Sequence, residues 1–304
     1  MVAISVCMIA YNHEKYIREA IEGVLMQTGN FNLELVVSDD TSSDKTSSVI
    51  QSIIDEHPRG SDIKFTKQDK NLGMIPNFIW TLQQCKGDYI AICEGDDYWT
   101  DSLKLQKQLD FLEHNPDYVI HSGIATILNE NGVPEHDPFV GIRDAATTFG
   151  MEDFLGKNNL ITCTVMFRNC ITQYPEEFFE AILGDWFLYT VLLHQTGLKA
   201  YRSSEELAVY RVHNNGFIRS LSSINYFQQK INQVLIIKQY IGYKKNPISV
   251  IQWLNNYSIP KFRYELAHKM YRNALKTFIT NIHYCKFGVS LKRYLSVLMH
   301  NKWR

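Results

Sequence analysis

Gly87-Asp88-Tyr89-Ile90-Ala91-Ile92-Cys93-Glu94-Gly95-Asp96-Asp97-Tyr98-Trp99 is the stretch that decides how this chain folds. Tyr89 to Cys93 is apolar and partly β-branched or aromatic, so it reads as a short strand buried on both faces. The composition then flips to Glu94, Asp96 and Asp97. Three carboxylates at the end of a buried strand are costly unless something positive sits among them. Oxygen ligands with a glycine for close approach suit a hard cation such as Mg²⁺ or Mn²⁺. Mg²⁺ is commonly held by one or two carboxylates plus substrate phosphates. In open α/β sheets, ligands sit outside the carboxyl ends of the strands. The stretch is therefore either a diphosphate and metal site or an acidic surface turn whose Asp96 and Asp97 cap the next helix.

Toward the N-terminus, Val2 to Ile9 reads as a first, central strand, broken by Tyr11-Asn12-His13. From His13 to Gln27, Tyr16, Ile17, Ala20, Ile21, Val24 and Leu25 recur at helical spacing, with Asn12 placed as N-cap. Nucleotide-binding α/β folds begin with such a strand, loop and helix, although GxGxxG is missing here. Leu33 to Val37 reads as a second strand. Asp39 at its end can accept from a base N–H or a ribose hydroxyl, and Asp44 suits a cap for the helix carrying Val49, Ile50, Ile53 and Ile54. Ile63 to Thr66 is a short third strand. Asn71-Leu72-Gly73 then opens a helix with Phe78, Ile79 and Leu82, where Gly73 can supply a positive φ and Pro76 suits a first turn.

Toward the C-terminus, Leu103 to Leu112 reads as an amphipathic helix capped by Asp101, and Tyr118 to Leu128 as a strand. Asn129 to Gly150 is a long loop of the kind that often forms a lid. Leu160 to Arg168 reads as strand, and Leu183-Gly184-Asp185 starts a helix running to His194, with Asp185 a natural cap. Lys199 to Tyr201 and Leu207 to Tyr210 follow as short strands. In Tyr210-Arg211-Val212-His213, the histidine is either a metal ligand beside a phosphate-binding arginine or an ordinary surface or core residue. Helices are expected from Ile224 onward. Beyond Pro260, ten Lys and Arg residues stand against one acid, Glu265, with aromatic residues interleaved. That segment suits an anionic membrane surface, or else packs as a helical appendage.

The bulk composition narrows the classes. At 304 residues and 45% hydrophobic, the chain can build one large α/β domain with an appendage. A net charge of −1 argues against a nucleic-acid binder driven by phosphate contacts. The six cysteines include no CxxC and read as reduced core residues of a cytoplasmic protein. Met1-Val2-Ala3-Ile4 lacks the basic start of a secretory signal, and no run reaches membrane-spanning length.

Glu94-Gly95-Asp96-Asp97-Tyr98-Trp99 resembles the metal-binding region of family 2 glycosyltransferases, above all bacterial surface-glycan members that write it in the same letters. The loops at Tyr11-Asn12, Asp39-Asp40, Asn71-Leu72-Gly73, Asp185 and Tyr210 to His213 follow in that family's order. The resemblance implies a GT-A fold: an α/β/α sandwich around a mostly parallel, nucleotide-binding sheet, with a helical C-terminal region. It divides the chain into a transferase domain at 1–220, with a donor half at 1–99 and an acceptor half at 100–220, and a helical region at 221–304. It implies a divalent metal, Mn²⁺ or Mg²⁺, on Asp96, Asp97 and His213. Ala10, Tyr11, Asn12, Asp39, Asn71, Gly73, Glu94, Gly95, Asp96 and Arg211 would surround the sugar nucleotide, and Asp185 would be the catalytic base. The implied reaction is inverting transfer from a nucleoside-diphosphate sugar, foremost a UDP-sugar, to a glycan or lipid-linked saccharide at the cytoplasmic face of the membrane. Thr41 stands where the family has Gly, Ser102 where it often has Pro, and Gly184 where many members have Glu. A nucleotidyltransferase would share the Asp pairs but usually adds a Gly-rich basic loop near the N-terminus, which the sequence lacks. A non-catalytic sugar-nucleotide binder and a tail-driven membrane adaptor complete the alternatives.

Overall fold

Strand β1 (Ala3–Ala10) is the spine of the fold, with Ile4, Val6 and Met8 wholly excluded from solvent. It pairs in parallel with β2 (Asn32–Asp39) on one side and β4 (Tyr89–Ile92) on the other. A central strand is covered on both faces, so its sequence is a nearly continuous apolar run, with Ser5 its one polar residue, bonded to Glu34. The structure, a computed structural model, describes residues 2–129, 131–134, 146–213, 216, 222–242, 248–284 and 293–298.

The remaining strands are β3 (Ile63–Lys67), β5 (Tyr98–Trp99), β6 (Tyr118–Asn129), β7 (Thr147–Phe149), β8 (Met166–Arg168) and β9 (Lys199–Val212). They join one sheet in the order β3-β2-β1-β4-β8-β6-β9-β5, with β7 on β9. The strands β1, β2, β3, β4, β6 and β9 share one direction, and β5, β7 and β8 oppose it. The chain leaves β1 for β2 and β3, then returns to β4 on β1's other side. Strand order therefore reverses between β1 and β4, the point where open α/β sheets bind ligands.

Four helices connect this half: α1 (Ile17–Leu25), α2 (Thr46–Glu56), α3 (Met74–Gln84) and α4 (Lys104–His114). The apolar faces of α1, α2 and α4 join the strands in one core that includes Ile17, Ala20, Ile21, Val24, Ile50, Leu105 and Leu109. Gly23 of α1 lies against β5: a Cβ there would meet the Trp99 backbone nitrogen at 3.0 Å.

Several expected boundaries differ. The first helix begins at Ile17 rather than His13, and Asn12 is not its cap, because the Asn12 side chain is committed to the next loop. The stretch from Leu160 is strand only over Met166–Arg168. Thr162–Thr164 coils into a 3₁₀ turn in which the Thr164 N–H and hydroxyl both donate to the Ile161 carbonyl. The two short strands expected around residue 205 are one fourteen-residue strand, β9. Its polar interruption, Ser203-Ser204-Glu205, is taken up where the register with β6 shifts between Ser122 and Ile124.

The chain forms two compact units. The sheet and α1–α4 lie in the first. The second comprises 152–158, 175–190 and 214–304, and holds α5 (Glu177–Glu180), the start of α6 (Gly184–Thr196), α7 (Ser223–Ile241), α8 (Ile248–Ala267) and α9 (Tyr271–Tyr284). Ser222 caps α7 by accepting from the Asn225 N–H, and Gly242 ends it at φ +72°. Helix α8 runs through Pro260 rather than breaking there.

The basic, aromatic tail is partly an interior. Phe262, Ala274, Tyr294 and Val297 form a core with Ile259, Leu266 and Phe278 against it. Lys261 is buried, its ammonium bonded to Glu265 and, at 2.6 Å, to the Thr277 hydroxyl. Among the cysteines, Cys7, Cys85, Cys93 and Cys163 are buried as expected, whereas Cys170 is exposed. Cys285, Lys286, Lys292, Lys302, Arg304 and most of the Asn129 to Gly150 loop lie outside the described residues.

Candidate active site

The acidic loop leaves β4 at the switch point and is fixed by backbone bonds to β1: Cys93 donates to the Cys7 carbonyl and Gly95 to that of Ile9, at 3.2 and 3.0 Å. Gly95 is required for this approach. A Cβ there would stand 2.9 Å from His13 Nδ1 and from Ile17 Cδ1. The far end of the loop is anchored by buried Trp99, whose indole donates to the Cys163 carbonyl at 2.7 Å.

Asp96 and Asp97, though adjacent, have different surroundings. His213 Nε2 lies 2.9 Å from Asp96 Oδ2, and His13 Nε2 lies 3.7 Å from the same oxygen. Burial opposes the charge of Asp96, but the His13 and His213 imidazoles outweigh it and hold the carboxyl below the usual carboxylate range. Asp97 is engaged elsewhere. Its Oδ1 accepts from the Arg211 N–H at 2.8 Å, and its buried Oδ2 has no hydrogen-bond partner. Burial, reinforced by the neighbouring Asp96 charge, pushes Asp97 well above the usual range. The two carboxyls are thus pushed in opposite directions, Asp96 toward the anion beside two histidines and Asp97 toward the protonated form. Glu94 is half-buried beside them.

Arg211 fastens β9 to this loop. Its guanidinium donates to the Asp96 carbonyl at 2.8 Å, pairs with Glu19 of α1, and stacks over Tyr98 at 4.3 Å. The His13 and His213 Nδ1 atoms are buried without hydrogen-bond partners. Among the described residues, no three His, Cys, Asp or Glu side chains form a group that could hold a metal ion by itself. Asp96 and His213 supply two donor atoms, and a substrate diphosphate would have to supply the others, as is common for Mg²⁺.

The loops after β1 and β2 are laced together. The Asn12 side-chain oxygen accepts from the Ser43 N–H at 2.9 Å, and the His13 N–H donates to the Thr46 hydroxyl at 2.8 Å. Asn12 adopts φ +57° to do this. Thr41 sits at φ +63°, the left-handed conformation a glycine would take without strain, and its hydroxyl donates to the Gln68 carbonyl at 2.9 Å. Asp44 accepts from Thr46 and from the Glu14 N–H. Asp39 is wholly buried, its carboxylate accepting from the Ser42 N–H and from the Ser42 and Ser47 hydroxyls. Asp40 accepts from the Leu72 and Gly73 N–H groups, and the Asn71 side chain returns a bond to the Asp40 carbonyl. Gly73 has φ +88°, as its sequence position implies. Tyr11, just beyond Ala10 at the end of β1, is 49% exposed.

The first unit therefore carries Ala10, Tyr11, Asn12, Asp39, Asn71, Gly73, Glu94 to Asp97, Arg211 and His213 at the carboxyl ends of β1, β2, β3, β4 and β9 and in the loops that follow them. Three residues not among the expected site residues belong there: His13, Glu19 and Asp40. His13 carried a usable signal, since it follows the central strand directly and so faces whatever follows β4.

Asp185 lies in the second unit, in the first turn of α6, and accepts from the Asn158 side chain at 2.6 Å. Both flanks of this pair are held by the C-terminal helices. The Gln233 side-chain oxygen of α7 accepts from the Ile182 and Leu183 N–H groups, each at 3.0 Å. The Tyr257 hydroxyl of α8 donates to the Gly156 carbonyl at 2.8 Å, and Trp253 packs where a Gly156 Cβ would be.

Comparison with known proteins bears on the family and the fold. An uncharacterised protein of Mycobacterium tuberculosis is 32% identical over 218 residues, 71% of this chain and 60% of that one. The chain thus spans about three fifths of the length of that relative. The Escherichia coli UDP-Glc:alpha-D-GlcNAc-diphosphoundecaprenol beta-1,3-glucosyltransferase WfaP is 27% identical over 246 residues, 80% of this chain and 88% of its own. The fold matches the Pyrobaculum calidifontis mannosyltransferase PcManGT, solved with GDP-Man and Mn²⁺. Its TM-score is 0.62 at 16% identity, over 98% of this chain and 81% of that one. This is the GT-A architecture, a mixed, mostly parallel sheet followed by helices. Residues 5–172, which run from β1 through β8, match the model of glycosyl transferase family 2, and the chain belongs to that family.

Proposed function

We propose that this protein transfers a sugar, with inversion, from a nucleoside-diphosphate sugar to a hydroxyl of a lipid-linked saccharide, in the assembly of a bacterial surface polysaccharide. The observation that carries the reading is the convergence of Asp96, His213 and His13 where strand order reverses, in a chain of this family. The UDP-glucose donor and diphosphoundecaprenol acceptor in the name of the relative WfaP favour a UDP-sugar and a lipid-linked acceptor.

In this mechanism Asp185 accepts the proton of the acceptor hydroxyl as that oxygen attacks the anomeric carbon. The bond from that carbon to the diphosphate oxygen breaks on the opposite face, which inverts the configuration. Exposed Tyr11 stacks on the base, while buried Asp39, bonded to Ser42 and Ser47, shapes the loop that receives the nucleoside, and Asp40 holds the Asn71 to Gly73 turn beside that loop. Asp96 and His213 would hold a divalent cation, Mn²⁺ or Mg²⁺. When bound, that ion supplies positive charge against the departing diphosphate. Asp97, bonded to the Arg211 backbone, keeps the loop in position. The nucleotidyltransferase alternative has no support from the family assignment.

The test is calorimetric titration of UDP-, GDP- and dTDP-sugars with Mn²⁺ or Mg²⁺ and then with EDTA, followed by turnover on a diphosphoundecaprenol-linked sugar. Metal-dependent binding of one donor and transfer to that acceptor are expected. A folded protein that binds no sugar nucleotide would overturn the reading.

A further inference from the structure

Helix α9 has three faces, and only one points inward. Ala274, Thr277 and Asn281 are buried. At about 100° per residue, Tyr271, Leu275 and Ile279 fall within an arc of about 80° on another side. They are 63%, 57% and 57% exposed. Arg272 and Lys276, also exposed, fall in the arc directly beside them. An apolar stripe exposed to this extent, bordered by a cationic one, is the pattern of a helix lying in a bilayer interface.

Charge in the rest of the segment points the same way. From Asn214 to Arg304 the sequence holds fifteen Lys and Arg against one acid. That acid, Glu265, is buried and bonded to Lys261, so it offsets nothing on the surface. The overall −1 conceals a strongly basic C-terminal part cancelled by an acidic remainder. The helical turn at 293–298 exposes Leu295 and Leu298 as well, while its Tyr294 is buried against Phe278. Among the described residues, no helix is long and apolar enough to cross a membrane.

From this we infer that α9 docks the protein on an anionic phospholipid bilayer, with Tyr271, Leu275 and Ile279 inserted among the lipids and Arg272 and Lys276 on the headgroups. A symmetric pairing of two copies through the same stripe would set two basic stripes side by side with no acid between them. Nucleic acid would leave the apolar stripe in water. The inference rests on the lipid-linked acceptor proposed above, since an enzyme acting on such a substrate must work at the surface that holds it.

Flotation of the full chain with vesicles tests this. Binding is expected to vesicles of phosphatidylcholine mixed with phosphatidylglycerol, weakened by salt, and not to phosphatidylcholine alone. Arg272→Gln with Lys276→Gln should weaken partition roughly fivefold per charge removed. Leu275→Ser with Ile279→Ser should reduce binding at every salt concentration. These side chains point away from the core, so far-UV circular dichroism and sugar-nucleotide affinity should stay unchanged in both variants. Absence of binding to the anionic vesicles would overturn the inference, and so would binding that both variants retain. A dimer dispersed by Leu275→Ser with Ile279→Ser, in a protein that ignores vesicles, would assign the stripe to a second copy instead. Vesicle binding without nucleotide binding would fail the transferase reading alone, and nucleotide binding without vesicle binding would fail this inference alone.

Discussion

His213 Nε2 stands 2.9 Å from Asp96 Oδ2 although 117 residues separate them in sequence. The sheet makes the contact. Strand β9 pairs with β5, which directly follows the acidic loop, so the end of β9 is delivered beside Asp96. Both imidazoles near Asp96 have a buried Nδ1 without a hydrogen-bond partner, so the donors are oriented by ring packing, with Tyr16 at 5.1 Å from the His213 ring.

His213→Ala is expected to weaken donor binding in Mn²⁺ by about tenfold to a hundredfold, while leaving the residual binding in EDTA nearly unchanged. Calorimetry with and without chelator reads both quantities. Equal losses in the two conditions would mean that the imidazole packs the loop and takes no part in holding a cation.

Asp185→Asn keeps the size and the hydrogen bond to Asn158 but removes the carboxylate proposed as the base. Sugar-nucleotide affinity should be retained, and turnover should fall by about two to four orders of magnitude. Asn158→Ala should lower turnover by less, about tenfold, because the side chain orients the Asp185 carboxylate through a 2.6 Å bond. Near-normal turnover of Asp185→Asn would remove the base assignment.

The parallel half of the sheet was legible because its central strands β1 and β4 are predominantly apolar runs closed by polar loops, and β2 and β3 carry short apolar cores that also end in polar loops. The acidic loop was legible for the same reason: carboxylates end a buried strand. What the sequence concealed depended on distant pairing. Ser203-Ser204-Glu205 looked like a loop because a bulge places polar residues in mid-strand, and only the register with β6 joins the flanking pieces. Arg211 looked like a phosphate ligand, and its pairing with Glu19 could be seen only once α1 and β9 were placed. Lys261 and Glu265 fall in the basic tail read either as a membrane-binding surface or as a packed helical appendage. At four residues apart they share a face, and the sequence does not say that this face is the buried one.

Thr41 is a β-branched residue at φ +63°, a conformation that costs an L-residue roughly 1–2 kcal/mol. Its hydroxyl bond to the Gln68 carbonyl recovers about 1 kcal/mol. Thr41→Val keeps the strain and loses the bond, so it should destabilise by about 1 kcal/mol. Thr41→Gly loses the bond and the strain together, and should lie within about 1 kcal/mol of the parent. Urea denaturation of the two variants gives the order. A Gly variant less stable than the Val variant would show that the left-handed turn carries no strain.

Lys104 is wholly buried, with its ammonium 3.9 Å over the Trp99 ring and 2.7 Å from the Gln108 side-chain oxygen. Burial lowers its pKa from 10.5 to about 7. Between those two values the unfolded chain holds a proton that the folded chain has released, so stability rises as pH increases across that window. The slope is at most about 1.4 kcal/mol per pH unit. Below the window both states are protonated, and the contribution is flat at its least favourable level. Lys104→Met removes the titrating group while filling similar volume, so its stability should show a correspondingly smaller rise over the window. The variant should gain most, relative to the parent, at and below about pH 7, where the parent holds a charged ammonium in its core. Chemical denaturation of both proteins at a series of pH values measures the difference, and parallel curves would assign the pH dependence to other groups.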